Sequence, residues 1–249
     1  MQGLLQAYGI ACVGSGVLGS AIGMDKDVMK RLLLQAGLPT ARCLVLHSGE
    51  ANLYTYAQCA RVLGSPLFVK PANTGSSVGI GKAATQEAFD SALAHAFRYD
   101  HKVVVEEFIE GREIECAVIG SVHPRVSVPG EIVTTHEFYS YKAKYQDEAA
   151  TTLLIPADLP DAVAAQLPAL AIKAYRALCC AGMARVDFFL DTNDHLWINE
   201  INTIPGFTRH SMFPVLWAHT GLNFAELIDE LIADALARHV RSARLLRNR

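Results

Sequence analysis

The sequence predicts an α+β fold, and three observations predict it. Residues 183–206 carry two alternating segments joined by turn residues, the pattern of a β-hairpin. Residues 113–120 and 125–133 pair naturally as a second antiparallel unit. Helical stretches with single apolar stripes separate the strands. The chain has 249 residues, 51% of them hydrophobic, enough to bury a sizeable core in one large domain or two smaller ones. With a net charge of −3, a nucleic-acid footprint is not expected. No apolar run approaches a membrane span, and no secretory leader pattern opens the chain. The six cysteines include no CxxC pair, which fits reduced thiols and a cytoplasmic location better than a disulfide framework.

Met1 to Gly9 reads as the middle of an amphipathic helix, Ile10 to Gly14 as a short strand, and Gly14 to Gly23 as a glycine-rich connection. A helix and one strand cannot form a stable sheet alone, so these pieces suggest that the chain starts inside a domain. Asp25 is placed to cap a helix whose apolar face is Val28, Met29, Leu32, Leu33 and Ala36, ended by Gly37-Leu-Pro39. Leu67 to Lys70 is a buried strand, residues 71–79 a small-residue loop, and Ile80 to Ala83 a short strand. Glu87 to Arg98 reads as a helix, Val103 to Ile109 as a strand linking two lobes, and Gly111-Arg112 as a turn. Phe138 to Ala150 is polar, aromatic and irregular, a loop. Asp161 to Ala181 is a long helix. Phe224 to Val240 is a final amphipathic helix, striped by Leu227, Ile228, Leu231, Ile232 and Leu236, before an arginine-rich tail.

The hairpin carries the most chemistry. In its first arm Met183, Arg185, Asp187 and Phe189 face one way; in its second, Ile198, Glu200 and Asn202 share a face. With matching register, Arg185, Asp187, Glu200 and Asn202 converge. Two carboxylates and an amide oxygen are hard ligands suited to Mg²⁺. The bland alternative is a surface hairpin with solvated acids. The loop Asn73 to Gly79 lacks the GxxxxGK[ST] phosphate pattern, yet its glycines and successive amides can form an anion-binding concavity. Lys70 ends the strand before it, although an edge lysine snorkelling to water is the commoner outcome. Lys26 opens a helix whose dipole disfavours a cation, a hint that it serves a ligand.

Together these segments resemble the ATP-grasp superfamily, specifically the D-alanine–D-alanine ligases of cell-wall synthesis. The resemblance is carried, in family order, by 23–26, 69–79, 105–109, 138–145, 185–188 and 199–208. It implies two α/β lobes sandwiching ATP, with a remnant of an N-terminal α/β domain at residues 1–24. The small lobe would span 25–110, the large lobe with metal and substrate sites 111–240, and a basic tail 241–249.

The resemblance also implies residue roles. Lys26 and Lys70 would contact ATP phosphates; Glu106, Phe108 and Ile109 would hold adenine, and Glu113 the ribose. Ser76 and Ser77 would close over phosphates and substrate. Tyr145 would reach Ser76 from a mobile loop, with Lys144 approaching the γ-phosphate. Asp187, Glu200 and Asn202 would bind two Mg²⁺ (or Mn²⁺), Arg185 and the Gly206 backbone would stabilise the tetrahedral intermediate, and Ser211 and Met212 would contact the second D-alanine. The family's N-terminal glutamate, which anchors the first D-alanine, has no counterpart here. The expected activity is ATP-dependent joining of two D-alanines through a D-alanyl phosphate, with no nucleic-acid or membrane partner and a homodimer if the N-terminal domain is present. The alternatives are a truncated, inactive ATP-binding fragment, or an ATP-grasp ligase for another carboxylate–amine pair.

Overall fold

Among the described residues of the computed structural model every strand pairing is antiparallel, and the strands divide into two sheets. The structure describes residues 1–49, 53–134 and 151–245. The elements, in order, are α1 (Gln2–Ala7), α2 (Val17–Met24), α3 (Lys26–Gln35), β1 (Cys43–His47), α4 (Tyr56–Leu63), β2 (Leu67–Pro71), β3 (Gly81–Ala83), α5 (Gln86–Ala96), β4 (Lys102–Glu107), β5 (Gly111–Ile119), β6 (Arg125–Val126), β7 (Gly130–Thr134), β8 (Thr151–Leu154), α6 (Asp161–Ala177), β9 (Met183–Asp191), β10 (Leu196–Asn202), α7 (Met212–His219) and α8 (Phe224–Ala243).

The smaller sheet runs β1-β4-β2-β3, and α4 and α5 cover it through Cys59, Leu63, Phe89 and Leu93, which pack on Leu67, Val69, Val103 and Val105. The larger sheet runs β10-β9-β5-β7-β8, with β6 on β5. Strand alternation gives it two apolar faces. Ile114, Cys116, Val186 and Phe188 meet α3 and α6 on one side, through Met29, Leu33, Leu167 and Tyr175. Ala117, Ile119 and Met183 meet α7 and α8 on the other, through Phe213, Trp217, Leu227 and Leu231. That second face changes character along its length. Toward the small sheet the same odd-numbered positions carry Glu113, Glu115, Arg185 and Asp187, of which Glu113, Glu115 and Asp187 line a cleft.

The hairpin forms as expected, with one difference that decides the site. Pairing runs Ile198↔Phe188 and then Glu200↔Asp187, so Asn199 is bulged. Without the bulge Glu200 would sit opposite Val186 and point into the core. With it, Ile198 and Ile201 both enter the core while Glu200 and Asn202 face Asp187 and Arg185. Ile198 therefore does not share the face of Glu200; the extra residue resets the alternation.

Other expectations are corrected. Ile10 to Gly14 forms no strand. Of the glycines of 14–23, Gly19 and Gly23 sit in helix α2 and serve close packing: a Cβ on Gly19 would lie 2.4 Å from the Cys179 carbonyl oxygen, and one on Gly23 2.9 Å from the Thr203 side chain. Gly111 and Arg112 begin strand β5 rather than a turn, with Gly111 pressed on the Leu190 backbone. In α8, Leu227 and Leu231 are buried, but Ile232 and Leu236 are 46% and 53% exposed, so the stripe is only half covered. Strands β1 and β8 and helices α4 and α7 had no counterpart in the sequence reading. By core packing α3 lies with the large sheet, although in sequence it precedes the small one.

Candidate active site

A cleft opens between the two sheets, and most of the residues singled out from the sequence line it. Lys26, Lys70, Ser76, Ser77, Glu106, Phe108, Ile109, Glu113, Asp187 and Glu200 are brought together there, with Phe68, Thr74, Ile80 and Glu115 among the residues the sequence reading missed. Lys144 and Tyr145, with the segment 138–150, fall outside the described residues.

The small-sheet wall is cationic. Lys70 and Phe68 project from β2 on one face, by strand alternation. The Lys70 ammonium donates to Glu106 Oε2 at 2.7 Å, and Lys30 pairs with Oε1 at 3.3 Å. Glu106 is 2% exposed. Burial alone would raise its pKa, but Lys30 and Lys70 outweigh it and hold the carboxyl at about 2. For Lys70 burial works against the charge, and Glu106 reverses the effect, leaving it above the ordinary lysine value. Glu106 thus spends its carboxylate on the lysines.

Lys26 reaches the cleft because the chain before it is tied down. Asp25 caps α3 through Val28 N–H and accepts from Lys102, which also holds Asp27. Lys26 N–H donates to the Ala72 carbonyl, and its ammonium donates to the Thr74 carbonyl. Burial lowers its pKa, partly offset by Glu200 across the cleft.

The loop between β2 and β3 is held in an unusual backbone. Ser76 and Ser77 have φ of 54° and 58°, consecutive non-glycine residues in the left-handed region. Such geometry costs energy and concentrates at ligand-binding turns. A Cβ on Gly75 would meet nothing within 4 Å, so this side of the loop is open; Gly79, at φ +75°, is instead required by Pro71 and Tyr99, each 2.7 Å from a Cβ there. Beside it lies an aromatic platform: the Phe68 and Phe108 rings are 5.8 Å apart, and Lys82 lies 5.3 Å from the Phe108 centroid.

The large-sheet wall is anionic. Arg185 donates from Nε and Nη2 to both Asp187 oxygens at 2.7 Å, and its Nε lies 2.9 Å from Glu115. Burial disfavours the guanidinium charge, but Asp187 and Glu115 prevail and raise its pKa. Asn202, opposite Arg185, accepts the Ile204 N–H on Oδ1. Gly206, Ser211 and Met212 lie past the cleft lining. A Cβ on Gly206 would approach Ser211 Oγ at 3.1 Å; Ser211 is bonded to Thr208, and Met212 is buried among the α7–α8 core residues.

Asp187 and Glu200 are register partners one step from Asn202, and a hard donor set drawn from their oxygens would suit Mg²⁺ or Mn²⁺. Among the described residues no three His, Cys, Asp or Glu gather to hold a metal alone. The Asn202 amide and phosphate oxygens would complete the shell, and a metal would compete with Arg185 for Asp187.

Two lysines and a serine-glycine loop facing paired acids across two antiparallel sheets define the ATP-grasp class of ligases. The D-ala D-ala ligase C-terminus family matches residues 32–233. A D-alanine–D-alanine ligase of Oceanobacillus iheyensis is 49% identical over 100% of this chain and 68% of its own length; ligase A of Salmonella typhimurium is 51% identical over 96% and 66%. The D-alanine–D-alanine ligase structure from Coxiella burnetii superposes with a TM-score of 0.86 at 39% identity, over 99% of this chain and 67% of that one. The VanG D-Ala:D-Ser ligase from Enterococcus faecalis gives 0.85 at 34% identity, over 94% and 68%. The chain belongs to the D-alanine–D-alanine ligase family, and it spans about two thirds of the length of these relatives.

Proposed function

We propose that the chain carries the ATP- and metal-binding part of a D-alanine–D-alanine ligase, which joins two D-alanines for peptidoglycan precursors at the expense of ATP. The observation that carries this reading is the opposition of Lys26 and Lys70 to Asp187 and Glu200 across one cleft, under the left-handed Ser76–Ser77 turn.

A carboxylate is a poor electrophile. Transfer of the γ-phosphoryl group to a D-alanine carboxylate oxygen expels ADP and gives an acyl phosphate. The amine of the second D-alanine then attacks the acyl carbon, loses a proton, and expels phosphate. Both steps gather negative charge on oxygen. Lys26 and Lys70 would hold the phosphates, and Arg185 with the Gly206 backbone would steady the acyl oxyanion, so that positioning and electrostatics would do the work. The loop at Ser76 and Ser77 would offer its amides to the phosphates, and Glu113 would accept from the ribose. Phe108 and Ile109, with the Phe68 ring, give adenine an apolar bed. Asp187, Glu200 and Asn202 would hold Mg²⁺ or Mn²⁺, which supplies charge neutralisation to the phosphates when bound. Ser211 and Met212 would border the second D-alanine, and Tyr145 and Lys144 the closed loop.

Calorimetric titration of the chain with Mg–ATP tests the site, and phosphate release with D-alanyl-D-alanine formation tests the activity. Binding with micromolar affinity is expected; a folded chain that binds no nucleotide with Mg²⁺ present sinks the reading.

A further inference from the structure

Lys30 is 1% exposed and does not line the cleft. Its ammonium has three acceptors: Thr40 Oγ1 at 3.1 Å, the Ala41 carbonyl at 3.4 Å and Glu106 Oε1 at 3.3 Å. Three N–H donors meet three oxygens, so the group is fully satisfied. A buried, paired charge gives a fold no more stability than an apolar side chain of similar size. The charge calls for another role.

Thr40 is 3% exposed and uses its hydroxyl twice. It accepts from Lys30 and donates its proton to the Ile198 carbonyl at 2.8 Å. The Pro39 carbonyl accepts the Ile198 N–H at 2.8 Å. β10 is the edge strand of the large sheet, so these bonds fix its outer edge. The next residue is the bulged Asn199, and the one after is Glu200.

We propose that Lys30 and Thr40 are positioning residues that couple the Lys70 ammonium on one wall to the Glu200 carboxylate on the other, through the chain Lys70–Glu106–Lys30–Thr40–Ile198. This rests on the Mg–ATP reading of the cleft. Lys30 occupies one oxygen of Glu106, so only the other restrains Lys70 and the lysine keeps net positive charge for phosphate. Through Thr40 the same ammonium anchors the bulge that turns Glu200 away from the core. A metal-bound nucleotide needs both ends at a fixed separation, and along the chain Lys70 and Glu200 lie 130 positions apart (200−70).

The test is titration calorimetry of the 249-residue chain with Mg–ADP over a series of Mg²⁺ concentrations. Thr40→Val removes both bonds at nearly constant volume. It is expected to weaken nucleotide affinity about tenfold and also to raise the Mg²⁺ concentration giving half-maximal binding. Thr40→Ser, which keeps the hydroxyl, is expected to restore both. Lys30→Met with Thr40→Val should lose less than the product of the single losses, because the two act in one chain. Thr85→Ala, which removes the remote cap of α5, should lower the melting temperature and leave both constants in place. If the parent chain binds and Thr40→Val changes neither constant, or weakens the nucleotide without moving the Mg²⁺ requirement, the coupling is wrong while the cleft reading stands. If the parent chain binds no Mg–ADP, the cleft reading falls and the coupling with it. Should Lys30→Met not fold, the Thr40 pair decides.

Discussion

The two walls of the cleft are built on opposite plans. On the small-sheet side one carboxylate, Glu106, holds Lys70 in the cleft and the buried Lys30 behind it; on the hairpin side, two carboxylates are held by one guanidinium, Arg185. Each wall thus keeps a net charge while every buried ion has a partner. The first suits phosphate and the second a divalent cation. Burying unpaired charges of either sign would cost far more than the fold can spare. The difference teaches how one site offers both signs at close range without collapsing into a single salt bridge: each wall is clamped internally before it meets the other.

The sharpest way to break this arrangement is to remove a clamp. Glu106→Gln leaves Lys30 and Lys70 buried without a counter-charge, and should cost about 4 kcal/mol in urea denaturation. An unchanged midpoint would show that the cationic wall needs no clamp. Glu200→Gln acts on the other wall, where the side chain reaches the cleft. Mg²⁺-dependent ligation should fall on the order of 100-fold with unfolding unchanged, measured by phosphate release in a ligation-competent protein; a parent-like rate would remove Glu200 from the metal site.

Two further tests probe the frame behind the walls. Gly19→Ala puts a methyl 2.4 Å from a backbone carbonyl, so α2 must shift and stability should drop by about 2 kcal/mol. A neutral result would return that stretch to a loop. The smallest effect is on acid titration. Glu106 has its pKa depressed from 4.5 to about 2, so its contribution is fully present above pH 4.5 and fades as pH falls toward 2. Lys70, shifted upward, acts in the reverse sense: its contribution holds below its ordinary value of 10.5 and is lost as pH rises through the raised one. The acid limb of a stability–pH curve should therefore flatten in Glu106→Gln; an unchanged limb would show that Glu106 is not held as a carboxylate by the lysines.

Much of the site was legible in the chain because strand alternation is local. Arg185 and Asp187 fall on one face by period alone, and Asp25 announces its cap by position. Lys30 was open to the same logic, one helical turn after Lys26, as was Glu115, two residues after Glu113. The α4 cap was also on view, since Thr55 and Gln58 have capping-box spacing and form that box. The glycines of α2 misled because composition cannot tell a glycine that turns the chain from one that admits a neighbour; Gly19 and Gly23 are of the second kind.

The sequence by itself determined which residues carry charge, where the hairpin turns, and which faces of most elements are apolar, because these follow from side-chain identity and backbone period. Only the tertiary structure decided that Asn199 is the bulged residue, that Glu106 clamps two lysines, and that α3 packs with the large sheet while offering Lys26 to the cleft. These features come from contacts between segments far apart in the chain. A bulge is stable only where the core accepts Ile198 and Ile201 on the same side, and the edge bonds from Pro39 and Thr40, about 160 residues away, hold it there.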